Sequence, residues 1–167
     1  MNYGKIKSVD VANGEGIRVS VFVSGCPHHC KSCFNPELWD YDACEEFTYE
    51  EISKIIDLCS KDYISGLSLL GGEPLDPRNV VGMITLCKAF VRKFPHKNIW
   101  CYTGYDWKEV KDLEIMQYID VLVDGKFVEA LKDPRLKFRG SSNQRIIDVK
   151  KSLESGNIVL RKDIMGE

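Results

Sequence analysis

Three cysteines fall close together in the stretch Cys26-Pro27-His28-His29-Cys30-Lys31-Ser32-Cys33, with the spacing C-x3-C-x2-C. Three thiols cannot all pair as disulfides, since one is always left over. As thiolates they are soft ligands that select iron–sulfur clusters, zinc or copper over harder ions. On an iron–sulfur cube they would hold three corners and leave the last iron open to a small molecule, and chemistry would occur there. A structural zinc wants four closed ligands, and His28, His29 or Cys44 could supply the missing one. Such sites usually come as two separated pairs, however, and no second C-x2-C occurs in the chain. A reactive or redox thiol set is a further alternative.

The elements that must position these thiols are legible in outline. Residues 17–23, which contain the β-branched apolar run 19–23, read as a first buried strand, and the cysteine loop follows it. An acidic stretch, 40–46, continues the loop. Thr48 then opens a helix, with Glu51 completing a capping box. Ile52, Ile55, Ile56 and Cys59 share one face of that helix. Residues 66–70 form a second strand that ends in Gly71-Gly72-Glu73-Pro74. Asp76-Pro77 reads as an N-cap with proline at the first helical position, and Val80, Ile84, Cys87 and Val91 as the inner face of the helix it starts. Further strands are expected at 98–102, 119–123 and 144–149, a helix at 106–116, and a charged loop at 128–142. Strands alternating with helices predict an α/β fold with a parallel sheet, in one domain.

Ligands of such sheets collect at the carboxyl ends of the strands. The unusual residues lie at those ends: the cysteines, Gly71-Gly72-Glu73-Pro74, Thr103-Gly104-Tyr105, Asp124-Gly125-Lys126 and Phe138-Arg139-Gly140-Ser141-Ser142-Asn143-Gln144-Arg145. Paired glycines let a ligand approach the backbone. Taken singly, Gly-Gly-Glu-Pro and Asp-Gly are also ordinary turns.

Composition narrows the partners. The 167 residues carry 23 basic and 25 acidic side chains, a formal charge of −2, which does not suggest nucleic acid or an anionic membrane. No stretch approaches a membrane span, and the opening residues hold no apolar secretion segment. The odd count of 7 cysteines suits a reducing cytosol, so a cytoplasmic protein is expected. Cys59, Cys87 and Cys101 read as core thiols, and Cys44 as an exposed one. His28 and His29 read as loop residues shaping the thiol environment, and His96 as solvent-facing. Trp100, Tyr102 and Tyr105 read as packing or as lining of the cleft.

With these motifs together, the chain resembles the radical S-adenosylmethionine enzymes. Cys26-x3-Cys30-x2-Cys33 matches their cluster motif, and Gly71-Gly72-Glu73-Pro74 their methionine-binding motif. More narrowly it is similar to the activating enzymes of anaerobic ribonucleoside-triphosphate reductase, through residues 11–18, 22–30, 33–35, 100–105, 121–127 and 139–144. The resemblance implies an open, partial β/α barrel of mostly parallel strands over residues 1–167. It implies one [4Fe–4S] cluster on Cys26, Cys30 and Cys33, whose open iron binds the amino and carboxylate groups of S-adenosylmethionine. One electron would then cleave a carbon–sulfur bond, and the 5′-deoxyadenosyl radical would take hydrogen from a glycine of the reductase.

The same resemblance places Gly71, Gly72 and Glu73 at the methionine amino group, Ser32, Cys33 and Phe34 near the adenine, and Thr103, Asp124 and Lys126 at the carboxylate or ribose. Many radical enzymes carry an aromatic residue where this chain has Ser32. The partners implied are the reductase and an electron donor such as reduced flavodoxin. Two other outcomes stay open on sequence: activation of a different glycyl-radical enzyme, and a zinc-stapled binding module without chemistry.

Overall fold

A computed structural model describes residues 1–166. Seven strands form one sheet in the order β3-β1-β2-β4-β5-β6-β7. They are β1 (Asn2–Asp10), β2 (Ile17–Val23), β3 (Glu45–Glu46), β4 (Ile64–Gly71), β5 (Asn98–Tyr102), β6 (Val121–Asp124) and β7 (Arg145–Asp148). The central strands β2, β4, β5 and β6 run parallel. This matches the expectation of mostly parallel strands, and the flanks are the exceptions: β1 is antiparallel to β2 and to β3, and β7 is antiparallel to β6. The reason is the connections. Helix-bearing crossovers join the parallel pairs, whereas residues 125–144 return from β6 to β7 with only one short 3-10 turn, Glu129–Leu131.

Strand alternation divides the sheet into two faces. Val19, Val21, Val23, Leu67, Leu69, Ile99, Cys101, Leu122 and Ile147 pack with Ile55 and Cys59 of α1 (Tyr49–Cys59) and with Met83, Leu86, Cys87 and Phe90 of α2 (Val80–Lys93). The other face presents Phe22, Leu70, Trp100, Tyr102, Val121, Val123 and Ile146. Among the described residues no long helix covers it, and it is partly closed by Leu38, Phe138, Ile164 and Met165. Deep in this face Arg18 is fully buried. Its guanidinium donates to Ser68 Oγ at 2.7 Å and to the carbonyls of Glu15, Leu67 and Asn98 at 3.0, 2.9 and 3.2 Å. Burial without a carboxylate partner pushes its pKa down to about 10.

Helix α1 starts where its capping box places it, with Thr48 N–H donating to Glu51 Oε2 at 2.8 Å. Helix α2 starts later than Asp76-Pro77 suggests, at Val80 with Asn79 in the cap position. Asp76 instead closes a turn, accepting from Arg78 N at 2.9 Å and from Tyr41 Oη at 2.8 Å. The buried face runs through Met83, Leu86, Cys87 and Phe90, with Val80 and Ile84 half-buried against the core, and Val91 is left 38% exposed. The expected helix at 106–116 is two short pieces, α3 (Trp107–Val110) and a 3-10 turn (Glu114–Gln117). Beyond β7 the chain adds α4 (Val149–Ser155) and α5 (Lys162–Met165), neither of which shows in the sequence pattern. Among the described residues, no helix is long and apolar enough to cross a membrane.

Candidate cofactor site at the carboxyl ends of the strands

The cysteine loop leaves the carboxyl end of β2 through a fixed entrance. Gly25 N–H donates to Leu38 O at 2.7 Å and Cys26 N–H to Trp39 O at 3.1 Å. Within the loop His29 and Ser32 take positive φ angles of 46° and 61°, a conformation that side-chain-bearing residues rarely adopt. His29 also stacks on Trp39, with ring centroids 4.4 Å apart. The resulting wrap brings Cys26, Cys30 and Cys33 to the wall of one cavity of about 460 Å³. Phe34, Gly71, Gly72, Glu73 and Thr103 line the same cavity, as does the floor formed by Phe22, Leu70, Tyr102 and Val123.

The glycine motif lies backbone-to-backbone against the cysteine loop. Gly72 N–H donates to Val23 O at 2.8 Å and Glu73 N–H to Gly25 O at 2.7 Å. Asn79 Nδ2 ties the two segments again, donating to Ser24 O at 3.0 Å and Glu73 O at 2.9 Å. A Cβ on Gly72 would lie 2.5 Å from Gly25 O. The sequence reading gave these glycines to a ligand; at Gly72 the close approach is to the protein's own backbone. Asn79 has no sequence signal, because its partners lie more than fifty residues away in the chain or across a turn.

Glu73 is buried, and its carboxylate is satisfied from several sides. It accepts from Leu75 N at 2.9 Å, Gly104 N at 2.7 Å, Thr103 Oγ1 at 2.9 Å and His28 Nε2 at 2.7 Å. Asp124 is equally committed, accepting from Trp107 N at 2.8 Å and from Arg145 Nε and Nη2 at 3.0 and 2.6 Å. Asp124 and Lys126 line a neighbouring cavity of about 770 Å³, which meets the first at His28, Gly104 and Gly125. Ser32 is exposed and lies outside the lining of either.

Burial pushes the Cys26 thiol up to about 11, against the pull of the His28 and His29 backbone N–H groups. The Cys30 thiol is also raised by burial, opposed by the Phe127 backbone and the Lys126 charge. Metal therefore has to displace protons here. Among the described residues, no three His, Cys, Asp or Glu side chains surround a point where a single ion could sit. A structural zinc needs four ligands on one ion, whereas a cube spreads its thiolates over separate irons. Three soft thiolates on the wall of one cavity are a donor set that fits an iron–sulfur cluster.

Residues 126–142 form a flap beside the cavity, which its Phe127, Leu136, Phe138, Arg139 and Gly140 help to line. Phe127 packs on Phe34 at 5.0 Å, Lys132 stands over the Phe34 ring at 5.6 Å, and Lys31 pairs with Glu129 at 3.3 Å. The flap is pinned by Gln144 Oε1, which accepts from Gly140 N and Ser141 N at 2.8 and 3.1 Å. Ser141 Oγ accepts from Val128 N at 3.1 Å.

The family described as a 4Fe-4S single cluster domain matches residues 12–147, which include the cysteine loop, the glycine motif and the flap. Three relatives carry the name anaerobic ribonucleoside-triphosphate reductase-activating protein. That of Enterobacteria phage T4 is 41% identical over 146 residues, covering 87% of this chain and 93% of the relative. That of Vibrio cholerae serotype O1 is 43% identical over 150 residues, with 87% and 97% covered. That of Escherichia coli K12 is 43% identical over 148 residues, with 86% and 96% covered. The chain belongs to this reductase-activating protein family. The matched span takes in the cysteine loop and the residues that line the cavity beside it. The span matched to the cluster domain ends within β7, so α4 and α5 lie outside it.

Proposed function

We propose that the chain activates an anaerobic ribonucleoside-triphosphate reductase by leaving a glycyl radical on it. The observation that carries this reading is the single cavity shared by three thiols and the Gly71–Gly72–Glu73 backbone, in a chain whose relatives bear the activating-protein name. In this reading Cys26, Cys30 and Cys33 hold a [4Fe–4S] cluster, and S-adenosylmethionine lies beside it. When bound, the two supply one-electron cleavage of a carbon–sulfur bond and a carbon radical that takes hydrogen from glycine.

The chain's own residues bind, orient and exclude water. The methionine amino group is a donor, and the Gly72 and Glu73 N–H groups already donate inside the protein, so carbonyl oxygens are what the motif offers it. Cys33 and Phe34 border the space for the adenine, with Ser32 on the outer side of the turn. Thr103 and Asp124 act through Glu73 and Arg145, which they hold in place, while the Lys126 ammonium faces the carboxylate or ribose from the adjoining cavity. The flap and its Phe34–Phe127 contact keep the reacting atoms dry. The partly uncovered sheet face supports an open β/α barrel of the radical S-adenosylmethionine type, formed as one domain. An electron donor such as reduced flavodoxin completes the cycle in the cytoplasm. The flap, with Val128 and Leu131 exposed beside Lys132 and Arg135, is the surface offered to the reductase.

The test is electron paramagnetic resonance of the cluster-loaded chain mixed anaerobically with S-adenosylmethionine, a reductant and the reductase. A doublet should form on the reductase and collapse to a singlet when its glycine α-carbon carries deuterium. Cleavage of S-adenosylmethionine without any radical on the reductase would overturn the activase reading.

A further inference from the structure

His28 sits within the cysteine loop, yet its side chain leaves that loop and enters the body of the protein. Only 7% of the side chain is exposed. Its Nε2 lies 2.7 Å from Glu73 Oε1, and because a carboxylate oxygen only accepts, Nε2 carries the hydrogen. The ring meets Tyr105 edge-on at 4.7 Å and presses on Gly104, where an added Cβ would lie 2.5 Å from His28 Cδ2. Glu73 at the same time takes hydrogen bonds from Thr103 and Gly104. One carboxylate therefore ties together the loops that follow β2, β4 and β5. The other links of the loop beyond Cys26 run to Trp39 and to the flap: the His29–Trp39 stack, the Lys31–Glu129 pair, the Phe34–Phe127 contact and the Phe127 backbone at Cys30.

We infer that His28 is a positioning residue: through Glu73 it fixes the thiol loop at a set distance from the glycine motif, and so sets the space in which S-adenosylmethionine is held. The inference rests on the reading above for its ligand and on this geometry for the clamp. Two anchoring surfaces must meet one small molecule, and a displacement on the order of an ångström between them is costly. The hydrogen bond involves a charged acceptor in a buried place, where it counts most.

The experiment compares His28→Phe, which keeps a ring against Tyr105 and removes the donor, with His28→Gln, whose amide can donate to Glu73. In the metal-free chain, hydrogen exchange of the amides in residues 26–35 should quicken in His28→Phe and stay near wild type in His28→Gln. In the cluster-loaded chain, affinity for S-adenosylmethionine by calorimetry should fall about tenfold in His28→Phe, the lower end of what a hydrogen bond to a charged group supports, with iron content unchanged. The shift in the cluster's resonance signal on adding S-adenosylmethionine should change with it. If His28→Phe does not fold, His28→Leu serves the same comparison. Wild-type exchange and affinity in the donor-less variant would overturn the inference, as would equal damage from His28→Gln. Failure of the wild-type chain to bind S-adenosylmethionine, with loop exchange responding as stated, would sink the ligand reading and leave the clamp standing.

Discussion

Replacing Gly72 with alanine adds one methyl group where two backbone segments touch. The new Cβ would lie 2.5 Å from Gly25 O and 2.9 Å from Leu38 O. Comfortable carbon contacts begin at about 3.5 Å, so the carbonyls must retreat by up to about 1 Å. Neither can swing aside as a side chain would. Gly25 O accepts from Glu73 N–H at 2.7 Å, and Leu38 O from Gly25 N–H at 2.7 Å, so both hydrogen bonds are strained by the retreat. Overpacking costs about 1–3 kcal/mol, and weakening the two bonds adds about 1 kcal/mol. For a chain of this size a total of about 2–4 kcal/mol lowers the melting temperature by roughly 5–15 °C. Scanning calorimetry of the metal-free protein measures this directly. Gly140→Ala is the control: the nearest atoms to its Cβ would be in the Phe127 and Phe34 rings, at 3.1 to 3.2 Å, and both side chains can shift. That variant should lose no more than about 2 °C. A Gly72→Ala melting temperature matching the control would refute the backbone clash and return this glycine to the ligand alone.

Changing Cys26, Cys30 or Cys33 to alanine should abolish iron loading. Cys59→Ala, in the core, should keep the iron and lose about 1–2 kcal/mol by calorimetric or chemical melting. Asp10 is buried, which raises its pKa, but hydrogen bonds from Asn13 and Ser20 outweigh this and leave it below its ordinary 3.8. Its stabilising contribution should be complete above that value and disappear as pH falls through the lower folded one. Asp10→Asn should flatten that acid limb in melting scans taken across it. Leu131→Ser, on the flap, should leave unpartnered S-adenosylmethionine cleavage unchanged while raising the reductase concentration needed for half-maximal radical formation, read by spin counting.

What the sequence determined by itself was local. The thiol spacing, the Thr48–Glu51 capping box and the apolar runs of β2, β4 and β5 depend on neighbours within a few residues, and these elements stand where they were expected. β1 went unread because its outward residues are polar and its partners, β2 and β3, supply the pairing that makes it a strand. Strand direction at β7 was decided by the return from β6, residues 125–144, which forms no crossover helix, rather than by any residue of β7 itself. The site divides in the same way. Its residue types were legible, but tertiary structure chose which of them face one cavity. It turned Thr103 and Asp124 inward to hold Glu73 and Arg145, sent Lys126 to the neighbouring cavity, and brought His28 to Glu73 and Asn79 to Ser24. Those contacts join residues 21 to 55 positions apart along the chain, so no local pattern encodes them. They exist only because parallel strands deliver their carboxyl-end loops to one edge of the sheet, where buried carboxylates and carbonyls must find donors from neighbouring loops.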